Sequence, residues 1–180
     1  AAFARRAAAT LADARAQVVG HFNDRPRPRL QLTLDDFGDD ANGYAQTLPY
    51  DHVHLQAYPP DPRSDLGDHG DWLRMLVFHE FAHILHLGDY GGLPGLVNGV
   101  LGRTLMPNAA VPRLVSEGIA TWLETRHTGN DRAVAGKGGR VDSPQFNALV
   151  RAAVRDDTLP TSLNALTSTP LRWPRGNSWY

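Results

Sequence analysis

Apolar and polar positions recur with two different periods along this 180-residue chain, and the change of period divides it. The opening stretch, AAFARRAAATLADARAQVVGHF, has the amphipathic spacing of a helix, predicted over 2–19 and ended by Gly20. RPRPRL is a stiff connector. LQLTLDDF (30–37) then alternates with period two, and YAQTL and HVHLQAY read as two further strands beyond the turn residues of DDANG. PPDPRSDLGDHGD is loop by its Pro, Gly and Asp content. Asp71 then stands as N-cap to a helix from Trp72 to Leu87, with Gly88 as its C-cap.

A Gly-rich apolar segment follows, with a short helix near 94–104, and Pro112 opens a helix to about Arg126. TGNDRAVAGKGGRVD reads as a flexible loop. Ser143-Pro144 begins a helix to about Arg155, and the tail TSLNALTSTPLRWPRGNSWY is irregular. Strands first and helices afterwards predict an α+β fold: a small N-terminal mixed sheet (strand-rich part about 28–60) and a mainly helical remainder (71–180). With no repeat and no linker, the expectation is one domain over 1–180.

Composition narrows the function classes. Hydrophobic content of 42% and charged content of 21% are those of a globular protein, and a net charge of −1 gives no field that favours nucleic acid. No apolar run approaches the roughly 20 residues of a membrane span; GGLPGLVNGVLGRTLMP is broken by Gly, Pro, Asn and Arg. Seventeen of the eighteen basic residues are arginines, scattered along the chain rather than gathered into a phosphate site. Without cysteine there is no disulfide framework, thiolate zinc site or thiol nucleophile, and a deformylase, which needs a cysteine ligand, is disfavoured.

The candidate chemistry lies in VFHEFAHILHLGD (77–89). His79 and His83 are four apart on a predicted helix, one turn above each other, so both imidazoles can reach one ion. Glu80, rotated about 100° from His79, sits beside such an ion, where a base would take a proton from water. Only about 0.006 matches to HExxH are expected by chance in a chain of this composition. A catalytic zinc needs a third protein ligand and an open position. Of nineteen acidic residues only three are glutamates: Glu80, Glu117 and Glu124. The last two lie seven apart in PRLVSEGIATWLET, on one helix face, with Ile119, Ala120, Trp122 and Leu123 as packing surface. Glu117 is therefore the expected third ligand. Glu124 is expected to accept the outer N–H of a ligand histidine and so fix its tautomer. His86 and Asp89 are rival third ligands. Asp89 has the offset of the metzincin pattern HExxHxxGxxH, but His86 stands where that pattern needs Gly.

HEFAH paired with SEGIATWLE resembles the gluzincin metallopeptidases, in which HExxH is completed by a glutamate on a downstream helix. Within that group the chain is similar to bacterial peptidase-MA-like domains, which often precede a β-propeller in exported proteins. DWLRMLVFHEFAHILHL, GRTLMPNAAVPRLVSEGIATWLET, GRVDSPQFNALVRAAV and RWPRGNSWY carry the likeness, over most of residues 71–180. It implies a zincin-like fold, one Zn²⁺ held by His79, His83 and Glu117, and Glu80 as general base. It also implies an extracytoplasmic location, periplasmic or secreted, and a propeller or other partner domain outside these residues. The downstream oxyanion donor of related enzymes would be Tyr180, sixty-three residues after Glu117. Two features depart from the pattern. Thirty-three residues separate His83 from Glu117, more than in thermolysin-like enzymes, and no GxMxN stretch precedes the helix.

The expected activity is zinc-dependent endopeptidase cleavage of a peptide or protein substrate. The substrate would lie extended along a sheet edge, for which HVHLQAY, directly before the HExxH helix, is the first choice. His52 and His54 in that strand are expected to face solvent, and YGGLPGLVNGVLG to be a small-residue packing segment, with a lid or cleft wall as its alternative. The alternative is a catalytically inactive zinc-binding domain that recognises peptides or serves as a structural module.

Overall fold

The computed structural model describes residues 1–22, 29–36, 42–61, 71–128, 140–160 and 162. Among them are five α-helices and a three-stranded mixed sheet, so the chain is α+β and mostly helical. None of these helices is long and apolar enough to cross a membrane.

Helix α1 (Ala2–Val18) buries Ala7, Leu11, Ala14 and Val18, an i, i+4, i+7, i+11 stripe. Ala7 and Ala14 are fully buried; having only a methyl group there lets α1 approach the central helix α2 (Trp72–Gly88) closely. Ion pairs from Arg6 to Asp71 (2.9 Å) and from Arg74 to Asp13 join the polar edges of the two helices.

The sheet consists of β1 (Leu30–Asp35), β2 (Gly43–Gln46) and β3 (Asp51–Gln56), in spatial order β1-β3-β2. β3 pairs parallel with β1 (Leu32↔Val53) and antiparallel with β2 (Ala45↔Val53). HVHLQAY is thus the middle strand, and the expectation that it forms the edge is corrected: β2 is the edge strand that packs on α2. Adjacency to the helix in sequence does not fix order in the sheet, because β3 takes a partner on each side. Its alternation is strict, with Asp51, Val53 and Leu55 fully buried and His52, His54 and Gln56 half-buried on the opposite face. On that face His52 meets Thr33 Oγ1 (2.9 Å), while His54 pairs with Asp35 and stacks on Tyr44 (4.7 Å between ring centroids). These histidines are engaged with neighbouring strands rather than simply solvated.

Helix α2 buries twelve of its seventeen residues, because α1, the sheet and α4 (Arg113–Thr128) surround it. Asp71 starts the helix by accepting the Arg74 amide (3.0 Å). Gly88 is its last residue rather than its cap, and Asn108 donates to the carbonyls of His86 and Asp89 beyond that end (2.7 Å each). Phe78 and Phe81 of α2 share one buried cluster with Ala120 and Leu123 of α4, and each buried ring contributes roughly 1.5–3 kcal/mol. Trp122 is not in that interface; it is 47% exposed on the outer side of α4, against His21 and Arg126.

Helix α3 (Gly92–Leu101) carries Leu93, Leu96, Val100 and Leu101 exposed, so the packing-segment expectation does not hold. Its buried residue is Asn98, whose side chain holds the turn at Thr104 and Leu105. After α4, a 3-10 turn at Arg140–Asp142 closes the stretch expected as loop, and α5 (Pro144–Arg155) follows.

Candidate metal centre

Helix α2 lays His79, Glu80 and His83 against α4, and α4 offers Glu117 and Glu124 from the facing side. His79 Nε2 lies 3.1 Å from His83 Nε2 and 3.2 Å from Glu117 Oε2, and His83 Nε2 is 3.4 Å from that same oxygen. Donor atoms at 2.0–2.1 Å from a tetrahedral ion stand about 3.4 Å apart, so these three atoms have the spacing of one ion's ligands. Among the described residues, His79, His83 and Glu117 are the one group of three such side chains able to hold a metal ion. His86 and Asp89 are not part of it. His86 is buried elsewhere on α2, its Nδ1 without a hydrogen-bond partner among the described residues. The residues thus fit a divalent metal, and their donor set of two imidazoles and a carboxylate suits zinc without being peculiar to it.

The outer nitrogens of both rings have partners. Glu124 Oε2 is 2.9 Å from His79 Nδ1, and Ser116 Oγ is 3.3 Å from His83 Nδ1. When each Nδ1–H donates outward, both Nε2 lone pairs turn inward, as metal binding requires. Glu124 is fully buried at the α2–α4 interface. It accepts from the guanidinium of Arg140 (Nε 2.9 Å, Nη2 2.8 Å) and from the Arg140 amide (3.1 Å). Arg113, largely exposed, approaches the other oxygen of Glu117 from the solvent side (3.5 Å).

Electrostatics follow this geometry. Burial favours neutral His79, yet the Glu117 and Glu124 carboxylates outweigh it and raise its pKa to about 9. Hydrogen bonds from His79 and His83 hold Glu117 far below the ordinary carboxylate range. Burial opposes ionisation of Glu124 as well, but its bonds to His79 and Arg140 prevail and keep its pKa low. Glu80, 5% exposed, shifts the other way: burial raises its pKa against the lowering effect of the two histidines. Its Cγ lies where the strand comes closest, since a Cβ on Gly43 would stand 3.1 Å from it.

Sequence reasoning missed two residues here. Ser116 precedes Glu117 in the motif already singled out, and its place one position before a ligand on a helix was the available signal. Arg140 stands in GRVDSPQFNALVRAAV, a stretch that carries the resemblance, but nothing gave it a role among seventeen scattered arginines. Tyr180 lies outside the described residues. Neither a protein-family model, nor a curated protein, nor a solved structure matches this chain.

Proposed function

We propose that the chain is a zinc-dependent metallopeptidase of the gluzincin type, with a zincin-like fold and Glu80 as general base. The observation that carries this reading is the convergence of His79 Nε2, His83 Nε2 and a Glu117 oxygen from two helices onto one point, with buried Glu80 the neighbour of His79 in α2. Three protein ligands leave a tetrahedral ion one open position, as catalysis requires and a purely structural site does not. When bound, zinc supplies Lewis acidity, which polarises a carbonyl and acidifies water.

The chain's own residues do the rest. Glu80 takes the proton from the attacking water and returns it to the leaving amine; the raised pKa that burial gives it suits both transfers. Glu124 and Ser116 orient the two imidazoles. An extended peptide would pair with β2, the edge strand that begins against Glu80, through main-chain hydrogen bonds. Tyr180 as oxyanion donor, an extracytoplasmic location and an adjoining propeller belong to the same proposal and rest on the resemblance alone.

The test is hydrolysis of an unfolded protein by the zinc-loaded chain and by Glu80→Gln, with zinc content measured on both. We expect the variant to keep its zinc and lose about 10²–10⁴ in rate. Equal rates would remove Glu80 from the chemistry. A zinc-loaded wild type that binds peptides without cleaving them would favour the inactive recognition domain.

A further inference from the structure

Arg140 has no part in the steps just described, although it is forked onto a carboxylate with no exposed surface. It comes from the 3-10 turn, which is stapled to α4 at two points: the Arg140 amide donates to Glu124 Oε1 (3.1 Å) and the Val141 amide to Thr125 Oγ1 (3.3 Å). Nε and Nη2 of the guanidinium then donate to the two oxygens of Glu124. Resting on the metal-site reading above, we propose that Arg140 is a positioning residue for the metal: by holding Glu124 in place, it keeps that carboxylate accepting from His79 Nδ1–H, so that Nε2 faces the ion.

Two arguments support this. The first is charge. The Glu124 carboxylate has no exposed surface, and the Arg140 guanidinium is the cation paired with it. Without the Arg140 guanidinium, fully buried Glu124 would lose two of the three bonds that fix it beside His79 Nδ1. A Glu124 no longer held there would not fix the orientation of the His79 ring.

The second argument is competition at one nitrogen. Arg140 Nη2 lies 2.6 Å from His79 Nδ1, beside the Glu124 oxygen at 2.9 Å. A guanidinium keeps its protons, so pairing with it would put the ring proton on Nε2 and exclude the ion. Nη2 also lies 2.8 Å from Glu124 Oε2, and turning its protons to that oxygen is what would leave Nδ1–H to bond the same carboxylate.

The test is Zn²⁺ affinity of the whole chain by competition with a chromophoric chelator. It compares wild type, Arg140→Met, Arg140→Lys, Glu124→Gln and the double variant that combines Arg140→Met with Glu124→Gln. Arg140→Met should weaken zinc binding about 10–100-fold, as loss of a group that orients a ligand does, and Arg140→Lys should recover part of that. In the Glu124→Gln background, Arg140→Met should add little, because its target is gone. If Arg140→Met does not fold by circular dichroism, the comparison of Arg140→Lys with wild type and of the double variant with Glu124→Gln decides, since the double variant leaves no unpaired buried charge. Wild-type affinity in Arg140→Met, or full additivity in the double variant, overturns the proposal. A wild type that binds no zinc overturns the metal-site reading itself, and this inference with it.

Discussion

Gly43 is the residue at which the sheet comes against Glu80, the base of the proposed hydrolysis. A Cβ there would meet Glu80 Cγ, the His54 carbonyl and Leu55 Cδ2, each at 3.1 Å. The carbonyl is fixed in the β2–β3 ladder, so the neighbour that must yield is a side chain, and Glu80 is one of the two. Gly43→Ala should therefore lower the hydrolysis rate, by up to about 10²-fold if the base moves by an ångström, with zinc content unchanged. Rate and metal measured on one preparation check this; joint loss of both would place the strain on the ligands instead. At this scale much was legible in the sequence. Three glutamates in a chain that otherwise uses aspartate are conspicuous, and the seven-residue spacing of two of them was enough to expect a shared helix face. The role of Arg140 was not legible: GRVDSPQFNALVRAAV belongs to the resemblance, but its partner is sixteen residues back and nothing local says what one arginine among seventeen would hold.

Elements were readable where a local rule makes them. Asp71 was expected to cap α2 and does, through the Arg74 amide. Replacing it with Ala should cost about 1 kcal/mol, lowering the midpoint of chemical denaturation with an unchanged slope. An unchanged midpoint would mean that packing from α1, the sheet and α4 fixes the start of α2 without help. Strand order was not readable. The alternation of β3 says which side chains are buried, and it is the same for a middle strand and an edge strand half-covered by a helix. Which edges are paired depends on β1, some twenty residues earlier, lying parallel to β3. Helix α3 escaped for a related reason: its apolar residues promised burial, but a sequence does not say that nothing among the described residues covers them.

For the molecule as a whole, the ligands come from two helices, so an ion at this site would join α2 to α4 and couple metal, proton and fold. In the metal-free protein His79 is raised from 6.5 to about 9 by Glu117 and Glu124. A group raised on folding stabilises fully below its unfolded pKa, and that contribution is lost as pH rises through the folded one. His86 and His127, whose pKa burial lowers, have finished most of their opposite contribution once pH passes 6.5. The melting temperature of the metal-free protein should thus fall between pH 6.5 and 9. Zinc needs His79 unprotonated, so its affinity and the stabilisation it confers should grow over the same window. Melting curves with zinc and with a chelator should diverge as pH rises; curves that stay parallel would mean that His79 is not a ligand.

The most direct test of the central claim is zinc per chain by elemental analysis, for wild type and Glu117→Ala purified without added metal. A His79–His83–Glu117 centre predicts close to one zinc in the wild type and a sharp fall in the variant. Zinc retained by Glu117→Ala would contradict Glu117 as a ligand, and no zinc in either protein would contradict the metal centre altogether.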